Sequence, residues 1–126
     1  MVSRFGCAWL RGMRAAGAEA CAKHFPGHGD TSVDSHLDLP SVDHSRSRLE
    51  EVELPPFQAC IEAGVALVMT AHVRYPSLDD VPATLSRRIL TEMLRDELGF
   101  ESMYSWFNER GPEVMTWVYL PRDELT

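Results

Sequence analysis

The chain has 126 residues, 44% of them hydrophobic and 25% charged, which is one domain's worth of ordinary globular sequence and excludes a disordered composition. Its net charge of −7 and scattered Arg and Lys argue against a nucleic-acid partner, which calls for a basic patch. Three cysteines, Cys7, Cys21 and Cys60, are an odd count without C-x-x-C spacing, so buried, reduced thiols are expected rather than a disulfide framework or a zinc ribbon.

From Ser3 to Ala16, Phe5, Trp9, Met13 and Ala16 recur at helical spacing, and Gly17 is a natural C-cap. No apolar run nears the roughly 20 residues of a membrane span. Arg4, Arg11 and Arg14 break any signal-peptide core, so a cytoplasmic location is expected. Ala20 to Phe25 reads as a short buried strand. Pro26 to His44 follows as a long loop rich in Gly, Asp, Ser and His, and such a loop in a compact domain is usually functional or disordered.

Helical signals return at Ser45. Leu49 and Val52 are expected to share a face, Pro55 suits the start of a second segment carrying Phe57 and Ile61, and Gly64 stops it. Val65 to Thr70 is an unbroken apolar run, the pattern of a parallel strand buried on both faces. Tyr75 to Pro82 is a Pro- and Asp-rich loop. Ser86 then caps an amphipathic helix built on Leu85, Ile89, Leu90, Met93, Leu94 and Leu98 and ending at Gly99. Helices alternating with buried strands predict an α/β fold with parallel strands, in which functional residues gather beyond the C-terminal strand ends.

The stretch Lys23-His24-Phe25-Pro26-Gly27-His28-Gly29-Asp30, followed by Asp34-Ser35-His36, sits at such an end. Two residues apart in an extended loop, Asp34 and His36 point the same way. The carboxylate can then hold one imidazole nitrogen, fix the tautomer and raise the basicity of the other, which suits general acid/base work. A local turn pair is the plainer alternative. Lys23 and His24 supply donors and an acceptor for sugar hydroxyls, or are a solvated strand end. His24 and His28 have H-x-x-x-H spacing, but Pro26 and Gly27 forbid the regular helix on which that spacing binds metal, so His28 and Asp30 are read as bracing the loop and no metal is expected. His72 ends the apolar strand and either lines a pocket or makes a local hydrogen bond.

The run KHFPGHGDTSVDSH resembles the signature of glycoside hydrolase family 3, β-N-acetylglucosaminidase (β-N-acetylhexosaminidase) branch. LDLP at 37–40, ELPPF at 53–57, VMTAHVRYPSLD at 68–79, PATLS at 82–86 and LRDELGF at 94–100 extend the match over about residues 9–101. The resemblance implies a partial (β/α)8 TIM-type barrel over residues 1–101. It implies a retaining glycosidase that releases terminal N-acetylglucosamine in peptidoglycan or other carbohydrate metabolism. His36 would be the acid/base with Asp34 as its orienting partner, Lys23 and His24 would bind the sugar, and no cofactor would be needed. A complete barrel of this type takes about 250 residues, so the earlier strands and their sugar ligands lie elsewhere and a missing barrel half is an implied partner. After Phe100 the family resemblance calls for a strand leading to a Ser-Asp-Asp-Leu-like segment that supplies the nucleophile. The sequence there is Glu101-Ser102-Met103-Tyr104-Ser105-Trp106, and residues 102–126 are read as a divergent tail. Its Glu109, Glu113, Asp123 and Glu124 are spare carboxylates with no motif to recommend them. The chain alone is therefore expected to be inactive. The alternatives are a non-catalytic sugar-binding remnant and a pseudogene-like fragment without a stable fold.

Overall fold

The computed structural model describes residues 1–31 and 38–100. Helix α1 (Val2–Ala15) leads into strand β1 (Cys21–Phe25). A nearly continuous helix follows in three pieces: α2 (Arg46–Arg48), a π-type turn over Leu49–Glu53, and α3 (Leu54–Glu62). Strand β2 (Leu67–Thr70) pairs with β1 in parallel, so the connection is a right-sized βαβ crossover. Beyond β2, among the described residues, come a small antiparallel hairpin of β3 (Arg74–Tyr75) and β4 (Asp79–Pro82), a 3-10 turn, and a wide-turned helix α4 (Arg88–Glu97).

The predicted elements have local causes that the structure displays. Gly17, Gly64 and Gly99 follow their helices at φ near +75°, the left-handed conformation that lets an orphan carbonyl find a donor. The Ser45 hydroxyl accepts the Arg48 amide at 3.2 Å to open α2. Ser86 does the same for the Ile89 amide at 3.0 Å and donates to Asp79 at 2.6 Å, which joins the start of α4 to the hairpin. That bond, chiefly, holds the Asp79 carboxyl below the ordinary carboxylate range.

Four expectations are corrected. The 75–82 segment is a hairpin, not a loop: Leu78 donates to the Tyr75 carbonyl across a three-residue turn, which brings Asp79–Pro82 back along Arg74–Tyr75. Val52 does not share the buried face of Leu49, because the π-type turn between them widens the spiral; Leu49 is sealed and Val52 is half exposed. Leu85 lies in the 3-10 turn ahead of α4 and is likewise exposed. Strand β2 is buried on one face only: Val68 and Thr70 pack inward, while Leu67 and Met69 are partly open.

The core lies between the strand pair and the helices. Phe25, Leu49, Val68, Val73, Tyr75 and Ile89 are all fully enclosed in it. The face of α1 that the spacing selected is not part of this core. Leu10 is buried instead, while Phe5 and Trp9 are 71% and 70% exposed and form an open apolar face on α1 with Gly6 and Met13. Exposed apolar surface of this kind promotes association. The purified chain is expected to self-associate as its concentration rises. Phe5→Glu with Trp9→Glu should shift sedimentation toward a 14.2 kDa particle, and an unchanged profile would show that this face is not the adhesive one.

Candidate functional site

Cys21, Ala22 and Lys23 pair with Leu67, Val68 and Met69 in regular register. The ladder then slips, and Phe25 rather than His24 pairs with Thr70. Strict alternation would place Phe25 on the face of Cys21 and Lys23. The one-residue bulge turns it to the opposite side with Ala22, where it is fully buried, edge-on to Phe57 at 5.2 Å. The extra residue is His24. It is left unpaired in the register at the C-terminal end of β1, next to an exposed Lys23.

A tight turn follows. The Gly27 amide donates to the His24 carbonyl at 2.9 Å, and Ala71 donates to the Phe25 carbonyl at 2.8 Å, which ties the turn to the end of β2. The Lys23–His24 and Phe25–Pro26 peptide bonds are cis. Gly27 sits at φ +139°, and a Cβ there would come within 2.6 Å of Glu53 Cγ. The Gly27 carbonyl accepts from the Tyr75 hydroxyl at 2.8 Å. Glu53 is gripped by Arg48 at 3.0 and 2.9 Å. Burial, helped by the nearby Glu53 carboxylate, pushes the Tyr75 phenol well above its usual range, so it stays a donor. Tyr75 thus bonds the strand end from behind, and Glu53, clamped by Arg48, lies close against Gly27. No local spacing in the sequence signals them.

His24 and His28 face each other with ring centroids 5.6 Å apart. Burial lowers the His24 pKa first, the Lys23 ammonium second and the His28 imidazole third. A neutral His24 beside a cationic Lys23 offers one acceptor and several donors, the inventory that a vicinal diol or a hydroxyl-rich ring can satisfy.

His28 and Asp30 each have a polar neighbour near the loop. His28 Nδ1 lies 3.4 Å from the Thr31 hydroxyl. Asp30 Oδ2 is 2.6 Å from His44 Nε2, a contact across fourteen residues that fastens the two ends of the long loop. His44 was no more than a loop boundary in the sequence. The returning strand of the loop is also fixed: the Val42 amide donates to the Arg74 carbonyl, and the Arg74 amide donates to the Pro40 carbonyl. His72 is exposed, with its Nδ1 2.7 Å from Thr84 Oγ1. Asp34 and His36 lie outside the described residues, as do Glu109, Glu113, Asp123 and Glu124. Among the described residues no three His, Cys, Asp or Glu side chains are grouped to hold a metal.

The model of the glycosyl hydrolase family 3 N terminal domain matches residues 1–104. The chain belongs to this family. Over 93 residues it is 48% identical to a protein named Beta-hexosaminidase from Alkalilimnicola ehrlichii, covering 74% of this chain and 27% of the relative. Over 116 residues it is 42% identical to Beta-hexosaminidase A from Pseudoalteromonas piscicida, covering 82% and 19%. A solved family 3 β-N-acetylglucosaminidase from Paenibacillus sp. superposes with a TM-score of 0.75 at 50% identity, covering 77% of this chain and 19% of that one. NagZ from Neisseria gonorrhoeae, solved with N-trifluoroacetyl-D-glucosamine, gives 0.77 at 42%, covering 80% and 30%. The chain therefore spans about a fifth to a third of the length of these relatives, and its α1–β1–α3–β2 unit is part of the family's α/β barrel. No helix among the described residues is long and apolar enough to cross a membrane.

Proposed function

We propose that the chain carries the sugar-gripping and proton-transfer segment of a retaining β-N-acetylhexosaminidase. The observation that carries this reading is the pairing of Lys23 with a half-buried, neutral His24 on a bulge at the strand end, in a family 3 chain whose relatives bear hexosaminidase names. In this reading Lys23 and His24 bind hydroxyls of a terminal N-acetylglucosamine. Asp34 holds one nitrogen of His36. The other nitrogen protonates the departing glycosidic oxygen and, in the second step, takes a proton from the attacking water. Using a histidine in place of the second carboxyl departs from the commonest retaining pattern, which pairs two carboxylates. The Asp30–His44 contact and the Tyr75–Gly27 bond support both ends of this machinery from outside it.

Retention also needs a nucleophile, and covalent catalysis is what divides the reaction into two accessible steps. Residues 1–101 are the barrel piece in this reading and 102–126 a divergent tail without a Ser-Asp-Asp segment. The 126-residue polypeptide therefore binds sugar without turning it over, and the rest of a barrel must supply the nucleophile. A cytoplasmic setting and an N-acetylglucosamine-containing cell-wall oligosaccharide as substrate belong to the same proposal.

The test is an NMR titration of the purified chain with N-acetylglucosamine, with mannitol as control, alongside an assay with an aryl N-acetylglucosaminide. Saturable shifts at Lys23 and His24, lost in Lys23→Ala, together with no turnover, are the expected result. Sugar-dependent shifts elsewhere only, or a collapsed spectrum, would refute the binding role; rapid His36-dependent turnover would refute the nucleophile assignment. The pH dependence has a defined sign. His24 binds its proton more weakly when folded than the free imidazole value of 6.5, so its contribution to stability is complete above 6.5 and declines as pH falls toward the lower folded value. Sugar binding should weaken over the same window. Lys23→Met removes one of the depressing charges and should move the His24 midpoint upward.

A further inference from the structure

Helices α1 and α3 pack side by side, and their contact brings together two of the three cysteines. Cys7 Sγ lies 3.4 Å from the carbonyl of Ala59, the residue before Cys60. The position that a Cβ would take on Gly6, the residue before Cys7, is 3.4 Å from Cys60 Sγ. A glycine at this crossing lets the two backbones approach closely, as a disulfide requires, since bridged Cα atoms are about 4.4–6.8 Å apart. Neither residue is fully buried, contrary to the expectation from composition, so small oxidants reach both.

We propose that Cys7 and Cys60 form a thiol-oxidation site that a hydroperoxide converts into a disulfide joining α1 to α3. The two cysteines face the same helix crossing, Cys7 against Ala59 and Cys60 against Gly6. Burial first, and Cys7 beside it, push the Cys60 thiol up, so the first attack falls to Cys7. In that step the Cys7 sulfur takes the terminal oxygen of hydrogen peroxide, the O–O bond breaks, and one water leaves with the thiol proton. Cys60 sulfur then attacks Cys7 sulfur; the S–S bond forms, the S–O bond breaks, and the departing hydroxide takes the Cys60 proton as a second water. Two thiols lose two electrons and one peroxide gains them. The bridge ties the helix ahead of β1 to the helix ahead of β2, so it locks the two strands that form the candidate site to each other. Cys21, on β1, has a weak contact to its neighbour's carbonyl at 3.8 Å and is left as the spare thiol.

The experiment is a titration of the full chain with hydrogen peroxide, followed by alkylation, intact mass and peptide mapping without reductant. Alkylatable thiols should fall from three to one, the mass should drop by two hydrogens, and a peptide linking Cys7 to Cys60 should appear and vanish with dithiothreitol. The oxidised monomer should melt on the order of 10 °C higher, because the bridge closes a long loop of the unfolded chain. Cys21→Ser should behave as wild type, and Cys60→Ser should give an oxygen adduct on Cys7 and no linked peptide. Three thiols still free after oxidation, or linkage through Cys21 in comparable yield, would overturn the proposal. The peptide map of the unmutated chain decides this even if a serine variant does not fold.

Discussion

Replacing Gly27 by alanine is expected to lower the melting temperature of the chain by on the order of 15 °C and to abolish the proposed response to N-acetylglucosamine. The residue is held at φ +139°, a region that side chains other than glycine avoid at a cost of about 1–3 kcal/mol. A Cβ would also meet Glu53 Cγ at 2.6 Å and Glu53 Cβ at 2.7 Å. The Cβ cannot swing aside as a chain end would, because it is fixed to the helical backbone and the carboxylate beyond it is clamped by Arg48. Relieving such a clash in a packed site costs about 1–3 kcal/mol more. The sum is near 3 kcal/mol or above, and each kcal/mol moves the midpoint of a small domain by about 4–8 °C. Glu53→Ala in the Gly27→Ala background tests the account: it removes the side-chain clash but not the backbone strain, so it should restore part of the loss. Full restoration would mean that φ is not strained, and no restoration would mean that Glu53 is not the obstacle.

Much of the fold is legible from periodicity. The spacing of Phe5, Trp9 and Met13 marks α1, the glycines mark where helices stop, and the run into Thr70 marks β2, because these signals are local and the structure leaves them intact. Where local rules fail, a specific competitor wins. Asp79-Asp80-Val81-Pro82 has little strand propensity, yet it pairs with Arg74–Tyr75 because Tyr75 at the start of the turn and Leu78 at its end are both buried. The π-type turn at Leu49–Glu53 shifts Val52 out of the face that simple spacing assigns to it, and the same turn delivers Glu53 to Gly27.

The candidate site was legible in its chemistry and not in its support. Lys23, His24, His28 and Asp30 stand in one short motif, so residue type and order point to them. The bulge that frees His24 cannot be read from composition, since it depends on how β1 meets Thr70. Arg48, Glu53 and Tyr75 reach the motif from far along the chain, and His44 meets Asp30 only once the loop has closed.

Phe25→Ala should have an effect at least as large as that of Gly27→Ala, and for a different reason. Phe25 has no exposed surface, stands edge-on to Phe57, and its carbonyl anchors Ala71. Truncating a buried phenylalanine costs about 3–5 kcal/mol in lost contacts and residual cavity. A small domain holds about 5–15 kcal/mol in all, so little margin is left and a broad, weakly cooperative melt is expected. Phe25→Leu keeps most of the volume and should lose about half as much. Sugar binding separates support from contact. Lys23→Ala should remove the N-acetylglucosamine response and leave the melting temperature within a few degrees of wild type, because an exposed strand-end side chain contributes little to packing. Phe25→Ala should remove both together, and Phe25→Leu should keep the sugar response in proportion to the folded fraction. If Phe25→Ala melted like wild type, the bulge could not be turning this ring into the core, and the exposure of Lys23 on the other side would lose its structural cause.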